Sequence, residues 1–426
     1  MTMIDTLARR ILLSRLPLVQ GGTLDLLTSS GLARFGDGQR GTVPRPPLHA
    51  TLEVRDDRFF TRALLGSDVG IGESYMDGQW TSPDLVTLIR LMIRNRAIVE
   101  RRGGAARAAV RWAGAMSRRL RDNSLAGSRR HIHEHYDLGN DFFRLFLDDQ
   151  HLMYSSAYYE TGRETLEQAQ QRKLDAICRK LALGPGDHVL EIGTGWGGFA
   201  AWAATRYGCR VTTTTISAEQ YRHACDWVAR LGEAGSRITV LQTDYRLLTG
   251  QFDKIVSIEM FEAVGLSHYD EYFAAVDRLL KPNGSMLLQT ITVDDQHFPH
   301  YHGQPDWIEK FIFPGGELAS MGEILKSLAR VSSVSLYHAE NFGTHYARTL
   351  HEWRARYRRQ LDRVRAMGFS ERFIRMWDFY LALCEAAFLE RHTGVFQLVL
   401  AKNYSGACHF NEPWALPAAE ARVAVA

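Results

Sequence analysis

The sequence predicts an α/β protein: a doubly wound, Rossmann-like sheet behind a small N-terminal α+β domain. Three observations predict it. First, an apolar run from His188 to Ile192 reads as a buried strand, four glycines follow within six residues (193, 195, 197 and 198), and a helix-compatible stretch starts at Phe199. Second, similar strands recur at 211–215, 238–245 and 252–259, and a fifth follows the Lys-Pro-Asn-Gly turn of residues 281–284. Third, the N-terminal part changes period: Leu48, Ala50, Leu52 and Val54 alternate as in a half-buried strand.

The chain has 426 residues, enough for two or three domains. Residues 4–16 place Ile4, Leu7, Ile11, Leu12 and Leu16 on one helical face. That face is expected to pack on the first domain, the default for an amphipathic helix; a helix lying on a membrane surface is the alternative. Gly and Pro punctuate residues 36–47, and a helix is expected from about 83 to 95. Residues 94–130 then carry eleven arginines against Glu100 and Asp122. Such a segment serves as a solvated linker and as an electrostatic contact for anionic lipid, at about 1 kcal/mol per basic residue. With Trp112 as its one aromatic, it is poorly equipped to stack nucleic-acid bases. The expected division is therefore an N-terminal domain over 1–95, a basic linker over 96–130, a catalytic domain over 131–410 and a tail over 411–426.

A net charge of +3 predicts no strong polyanion partner. The five cysteines show no metal-binding spacing, and their odd, scattered set suits reduced thiols in the cytoplasm. No run of about 18 apolar residues exists, and Arg9, Arg10 and Arg15 interrupt the N-terminus, so neither a spanning helix nor a signal peptide is expected.

The glycine turn is the chemical centre. Strand, glycines and helix together bring backbone N–H groups close to a ligand, and Glu191 ends the strand just before the turn. The glycines at 193, 195 and 198 also fit a dinucleotide pattern. The second strand, however, ends in Ile216-Ser-Ala-Glu-Gln220, without the acidic residue placed to take a ribose diol in NAD folds. Gln220 is the polar group left for that work. This order of elements resembles the class I S-adenosylmethionine-dependent methyltransferases.

Longer motifs narrow the resemblance. His135-Tyr-Asp-Leu-Gly-Asn-Asp-Phe-Phe143, Leu152-Met-Tyr-Ser-Ser-Ala-Tyr-Tyr159, Met260-Phe-Glu262, residues 308–316, Asn341-Phe-Gly343 with Tyr346, and Tyr380 to Phe388 together resemble the cyclopropane-fatty-acid synthase family. Gly72-Glu-Ser-Tyr-Met-Asp-Gly78 matches its long, phospholipid-acting bacterial form. The resemblance implies one-carbon transfer from S-adenosylmethionine to the cis double bond of an unsaturated phospholipid acyl chain. It implies a peripheral enzyme on the inner, anionic face of the membrane, with a homodimer as one arrangement and no nucleic-acid partner. For the cofactor it implies Tyr154 and Ser155 over the pocket, Gly193, Gly195 and Gly197 under the methionine part, Thr215, Ile216 and Gln220 near ribose and adenine, and Asp244 beside the adenine.

The chemistry needs a donor held close, a dry tunnel around a carbocation, and a base that takes a proton from the delivered methyl so that the ring closes. Phe261, Trp307, Phe311, Phe313, Phe342 and Trp377 are candidates for the tunnel wall. In the family the base is a bound bicarbonate, held by Cys, Glu, His, an Ile backbone and Tyr. The matching positions here are Ser156, Glu262, Gln289, Ile291 and Tyr346, so thiol and imidazole are replaced. Ser and Gln still donate hydrogen bonds to an anion. If the anion is lost, Glu262 becomes the expected base, its pKa raised by an apolar pocket. C-methylation without ring closure and a catalytically silent lipid-binding homologue are the alternatives. Cys384 matches a family cysteine once discussed as reactive, and its apolar helical setting predicts a buried, inert thiol. His131, His133 and His135 alternate without a partner motif, so no metal is expected.

Overall fold

The computed structural model describes residues 2–36, 38, 45–96, 138–302 and 306–402. The arginine-rich linker, the three alternating histidines and the C-terminal tail lie outside the described residues.

The N-terminal unit is a four-stranded mixed sheet of β1 (Gly22–Thr28), β2 (Gly31–Phe35), β3 (Leu48–Val54) and β4 (Trp80–Thr81), in the order β2-β1-β3-β4. β3 is the alternating segment, and Leu48, Ala50, Leu52 and Val54 all face the core. Helices Met3–Leu13, Arg58–Met76 and Leu85–Arg94 complete the unit. The first helix corrects the sequence reading. Asp5 and Ala8 are its buried residues, whereas Ile4 and Leu7 are 63% and 58% exposed. The cause is polar: Asp5 closes a capping box with Thr2 and accepts a hydrogen bond from Thr61 Oγ1 at 2.6 Å. This anchor turns part of the apolar stripe outward.

This unit packs on helix Glu371–Leu389. Tyr75 Oη donates to Asp378 at 2.9 Å, and Arg45, Arg90 and Arg94 converge on the buried carboxylate of Glu390. Gly72 lies so close to Trp307 that a Cβ there would sit 2.3 Å from the indole nitrogen, so the first glycine of the Gly72–Gly78 motif is a packing glycine.

The large sheet has seven strands: β5 (His188–Ile192), β6 (Arg210–Thr214), β7 (Ile238–Leu241), β8 (Phe252–Ile258), β9 (Leu280–Val293), β10 (Val334–Asn341) and β11 (Thr393–Lys402). Their order is β10-β11-β9-β8-β5-β6-β7. β5 to β9 pair in parallel, and the chain turns from one half to the other at β5 and β8. The sequence reading missed β10 and β11, which add antiparallel and make the sheet mixed. Alternation splits each strand between two cores. Leu190, Ile192, Ile255, Met286 and Leu288 pack under helices Tyr269–Leu279 and Met321–Val331. Val189, Val211, Val256 and Leu287 pack under helices Leu166–Lys180 and Gly198–Arg206. Ligands of such sheets bind outside the strand ends at the switch point, and a cavity opens there.

Candidate active site

A cavity of about 330 Å³ lies at the ends of β5, β6, β8 and β9. One end is the glycine turn. Gly193, Gly195 and Gly197 have φ of +99°, +53° and +94°, where glycine alone is unstrained. A Cβ on Gly195 would meet no protein atom within 4 Å, so it would project into open space, and Gly195 lines the cavity. Gly193 lines it too, whereas Gly197 caps helix Gly198–Arg206 and faces Ala224 and Trp227. The turn is thus a cradle that side chains would fill, and it fits the methionine part of the expected cofactor.

The other expected cofactor residues all line this cavity. Thr215 Oγ1 donates to Gln220 Oε1 at 2.8 Å, which fixes the amide at the mouth of β6. Asp244 accepts from the Arg246 guanidinium at 2.8 and 2.9 Å, so its carboxylate is already paired. Ser155 Oγ accepts from Lys173 Nζ at 2.7 Å. Lys173 is fully buried, and burial pulls its amine down to about 8 despite the facing carboxylates of Glu259, Asp148 and Glu191. Glu191 is buried beside the turn and is pushed up to about 8 by desolvation, against a 2.6 Å hydrogen bond from Thr213.

The far end of the cavity is apolar: Ile308, Phe313, Leu350, Leu383, Ala387 and Phe388 line it. Of the six aromatics expected in a tunnel wall, Phe313 alone is among the lining residues; the others pack in cores, as Phe261 does against Tyr269, Tyr272 and Phe273. Tyr154, Tyr346 and Tyr380 take their place in the lining, with Tyr154 Oη donating to Tyr380 Oη at 3.2 Å. Cys384 also lines the cavity, and burial pushes its thiol far up.

The expected base site is assembled, around a residue that the sequence reading passed over. Glu259 directly follows β8 and lines the cavity with its carboxylate buried. Its Oε1 accepts from the Ser156 backbone N–H at 2.8 Å and from Gln289 Nε2 at 2.7 Å; its Oε2 accepts from Tyr346 Oη at 2.6 Å. Ser156 contributes through its backbone, for its hydroxyl donates to the Ala157 carbonyl at 3.1 Å. Glu259 adopts φ of +49°, a conformation that costs a side-chain-bearing residue about 1–3 kcal/mol. Glu262 is separate. Its Oε1 accepts from the Ile291 N–H at 2.5 Å and from Thr290 Oγ1 at 3.1 Å, and its Oε2 has no hydrogen-bond partner among the described residues. Burial first, then the charge of Glu259, pushes Glu262 up to about 8. The available signal for Glu259 was its place at a strand end, three residues before Glu262.

All five groups expected to cradle a bicarbonate therefore already donate to, or are themselves, protein carboxylates: the Ser156, Gln289 and Tyr346 donors serve Glu259, the Ile291 N–H serves Glu262, and Glu262 is the fifth. The residues present do not fit that anion. Among the described residues, no group of three or more His, Cys, Asp or Glu side chains could hold a metal.

Comparison with known proteins agrees with this geometry. The family model for mycolic acid cyclopropane synthetase matches residues 123–398. Cyclopropane-fatty-acyl-phospholipid synthase of Escherichia coli is 39% identical over 374 residues, covering 87% of this chain and 91% of the relative. Tuberculostearic acid methyltransferase UfaA1 of Mycobacterium tuberculosis is 36% identical over 380 residues, covering 86% and 87%. Among solved structures, mycolic acid cyclopropane synthase CmaA1 complexed with SAH and CTAB is 33% identical with a TM-score of 0.60, covering 64% of this chain and 98% of that one. The chain belongs to the mycolic acid cyclopropane synthetase family, and it is an S-adenosylmethionine-dependent methyltransferase.

Proposed function

We propose that this enzyme transfers a one-carbon unit from S-adenosylmethionine to the cis double bond of an unsaturated phospholipid acyl chain and closes a cyclopropane ring. The observation that carries the reading is the composition of one cavity. It joins a glycine cradle and the polar groups of Gln220 and Asp244 to an apolar end, and the buried carboxylates of Glu259 and Glu262 line it. The E. coli relative, matched over most of both chains, bears the name of that activity.

When bound, S-adenosylmethionine supplies an electrophilic methyl group. Gly193, Gly195, Tyr154, Ser155, Thr215, Ile216, Gln220 and Asp244 would hold it. The protein then has three tasks. The apolar end holds the acyl chain and excludes water from the cation that forms on it. The faces of Tyr154, Tyr346, Tyr380 and Phe388 offer cation–π stabilisation. A carboxylate takes the proton whose loss closes the ring. The bicarbonate implied by the resemblance has no part in this reading, because its donors are occupied.

Substrate access fits a membrane surface. Among the described residues no helix is long and apolar enough to cross a membrane. Met3, Ile4 and Leu7 are 88%, 63% and 58% exposed on the first helix, with Leu65 69% exposed on the next. With the arginines of residues 101–130, they suit peripheral docking on an anionic inner leaflet. A second reading, C-methylation of the same double bond, is favoured by the match to UfaA1. The test is release of S-adenosylhomocysteine with vesicles of unsaturated against saturated phospholipid. Release with the unsaturated vesicles alone is expected; release independent of lipid would refute the substrate class.

A further inference from the structure

Resting on that reading, we propose that the Glu259 carboxylate is the resident base of the enzyme, built into the place where the resemblance puts a dissociable bicarbonate. The donors around it have fixed directions. Lys180 Nζ, which can only donate, lies 2.5 Å from Gln397 Oε1. Gln397 Nε2 therefore donates to Gln289 Oε1 at 2.9 Å, and this leaves Gln289 Nε2 to donate to Glu259 Oε1 at 2.7 Å. The Ser156 N–H donates to the same oxygen. Tyr346 Oη completes the set on the other oxygen, so both oxygens accept, and these three donors with the Lys173 ammonium favour the charged form against the burial that pushes the carboxyl up. Of about four acceptor positions on a carboxylate, three are filled by protein, so one remains for a proton from the cavity.

Glu262 has the contrary environment: Ile291 and Thr290 both donate to Oε1, no donor among the described residues reaches Oε2, and a neighbouring negative charge faces it. Two carboxylates with environments this unlike divide the roles, Glu259 ionised and Glu262 neutral. In the step, a C–H bond of the delivered methyl breaks. Its electron pair forms the last ring bond to the cationic carbon, and the proton passes to Glu259. The left-handed backbone of Glu259 is what a glycine would adopt freely, so the carboxylate is held there against its own conformational preference.

The test uses the full chain, vesicles of dioleoyl phosphatidylglycerol, and buffers stripped of carbon dioxide. Wild-type turnover should not change when millimolar bicarbonate is added. Glu259→Gln should lower turnover at least about a hundredfold while S-adenosylhomocysteine affinity, read by calorimetry, stays within about twofold. Glu259→Gly frees the backbone and leaves three donors around a carboxylate-sized gap. Its turnover should fall as far and be partly restored by bicarbonate or formate, and carbon-13 line broadening of labelled bicarbonate should appear with this variant and not with wild type. Stimulation of wild type by bicarbonate, full turnover of Glu259→Gln, or a soluble Glu259→Gly protein that no anion restores would each overturn the assignment. If Glu259→Gly fails to fold, the Gln variant and the bicarbonate response of wild type decide. A wild-type enzyme that leaves the lipid unmodified would instead overturn the functional reading beneath it.

Discussion

Replacing Glu262 by Gln should stabilise the protein, and increasingly so as pH rises. The side chain is buried with one oxygen unpartnered, and its pKa moves from the ordinary 4.5 to about 8. Above pH 4.5 the unfolded chain gives up this proton while the folded chain keeps it. The favourable contribution is therefore complete below 4.5 and is lost progressively up to about 8. At about 1.4 kcal/mol per pH unit, the loss across that window approaches about 5 kcal/mol, an upper figure because neighbouring groups relax. Gln keeps an oxygen for the Ile291 N–H and carries no titrating proton. Urea midpoints followed by tryptophan fluorescence at pH 5, 6.5 and 8 test this. The variant should exceed wild type by about 1 kcal/mol at pH 5 and by several at pH 8. Parallel pH profiles for the two proteins would refute a neutral, buried Glu262.

Two further outcomes are expected. Gly195→Val should leave a folded protein, destabilised by about 1–2 kcal/mol for a left-handed residue, with S-adenosylhomocysteine affinity reduced by on the order of a hundredfold in calorimetry; unchanged affinity would remove the turn from the site. Ile4→Glu with Leu7→Glu, or Gln at arginines 101, 102, 118 and 119, should weaken flotation with anionic vesicles, and wild-type binding should fall steeply with salt; unaffected flotation would place the docking surface elsewhere.

What the sequence disclosed follows from what is local. The run His188–Ile192, the glycines after it and the alternation in β3 set their own backbone, and each stands where the period put it. The residues expected to hold the cofactor, all but Gly197, line one cavity beside the strand ends, while Gly197 faces a helix. Orientation was less legible. The first helix has the expected period, but the Asp5–Thr61 hydrogen bond, between residues 56 apart, chose which face turns inward. The surroundings of Glu259 were hidden for the same reason. A strand end three residues before Glu262 is the one local mark of Glu259, because its hydrogen bonds come from Ser156, Gln289 and Tyr346 in three distant segments. The edge strand β10 was hidden as well, since it exposes most of its length and carries little apolar pattern.

The central claim, ring formation on an unsaturated acyl chain, is tested most directly with S-adenosylmethionine carrying a fully deuterated methyl group. Purified protein is incubated with vesicles of dioleoyl phospholipid, and the recovered acyl chains are analysed by mass spectrometry and proton NMR. The account predicts a cyclopropane chain that keeps two of the three deuterons, the third having left with the base. A branched chain that keeps all three, or cofactor turnover with the acyl chains unchanged, would contradict it.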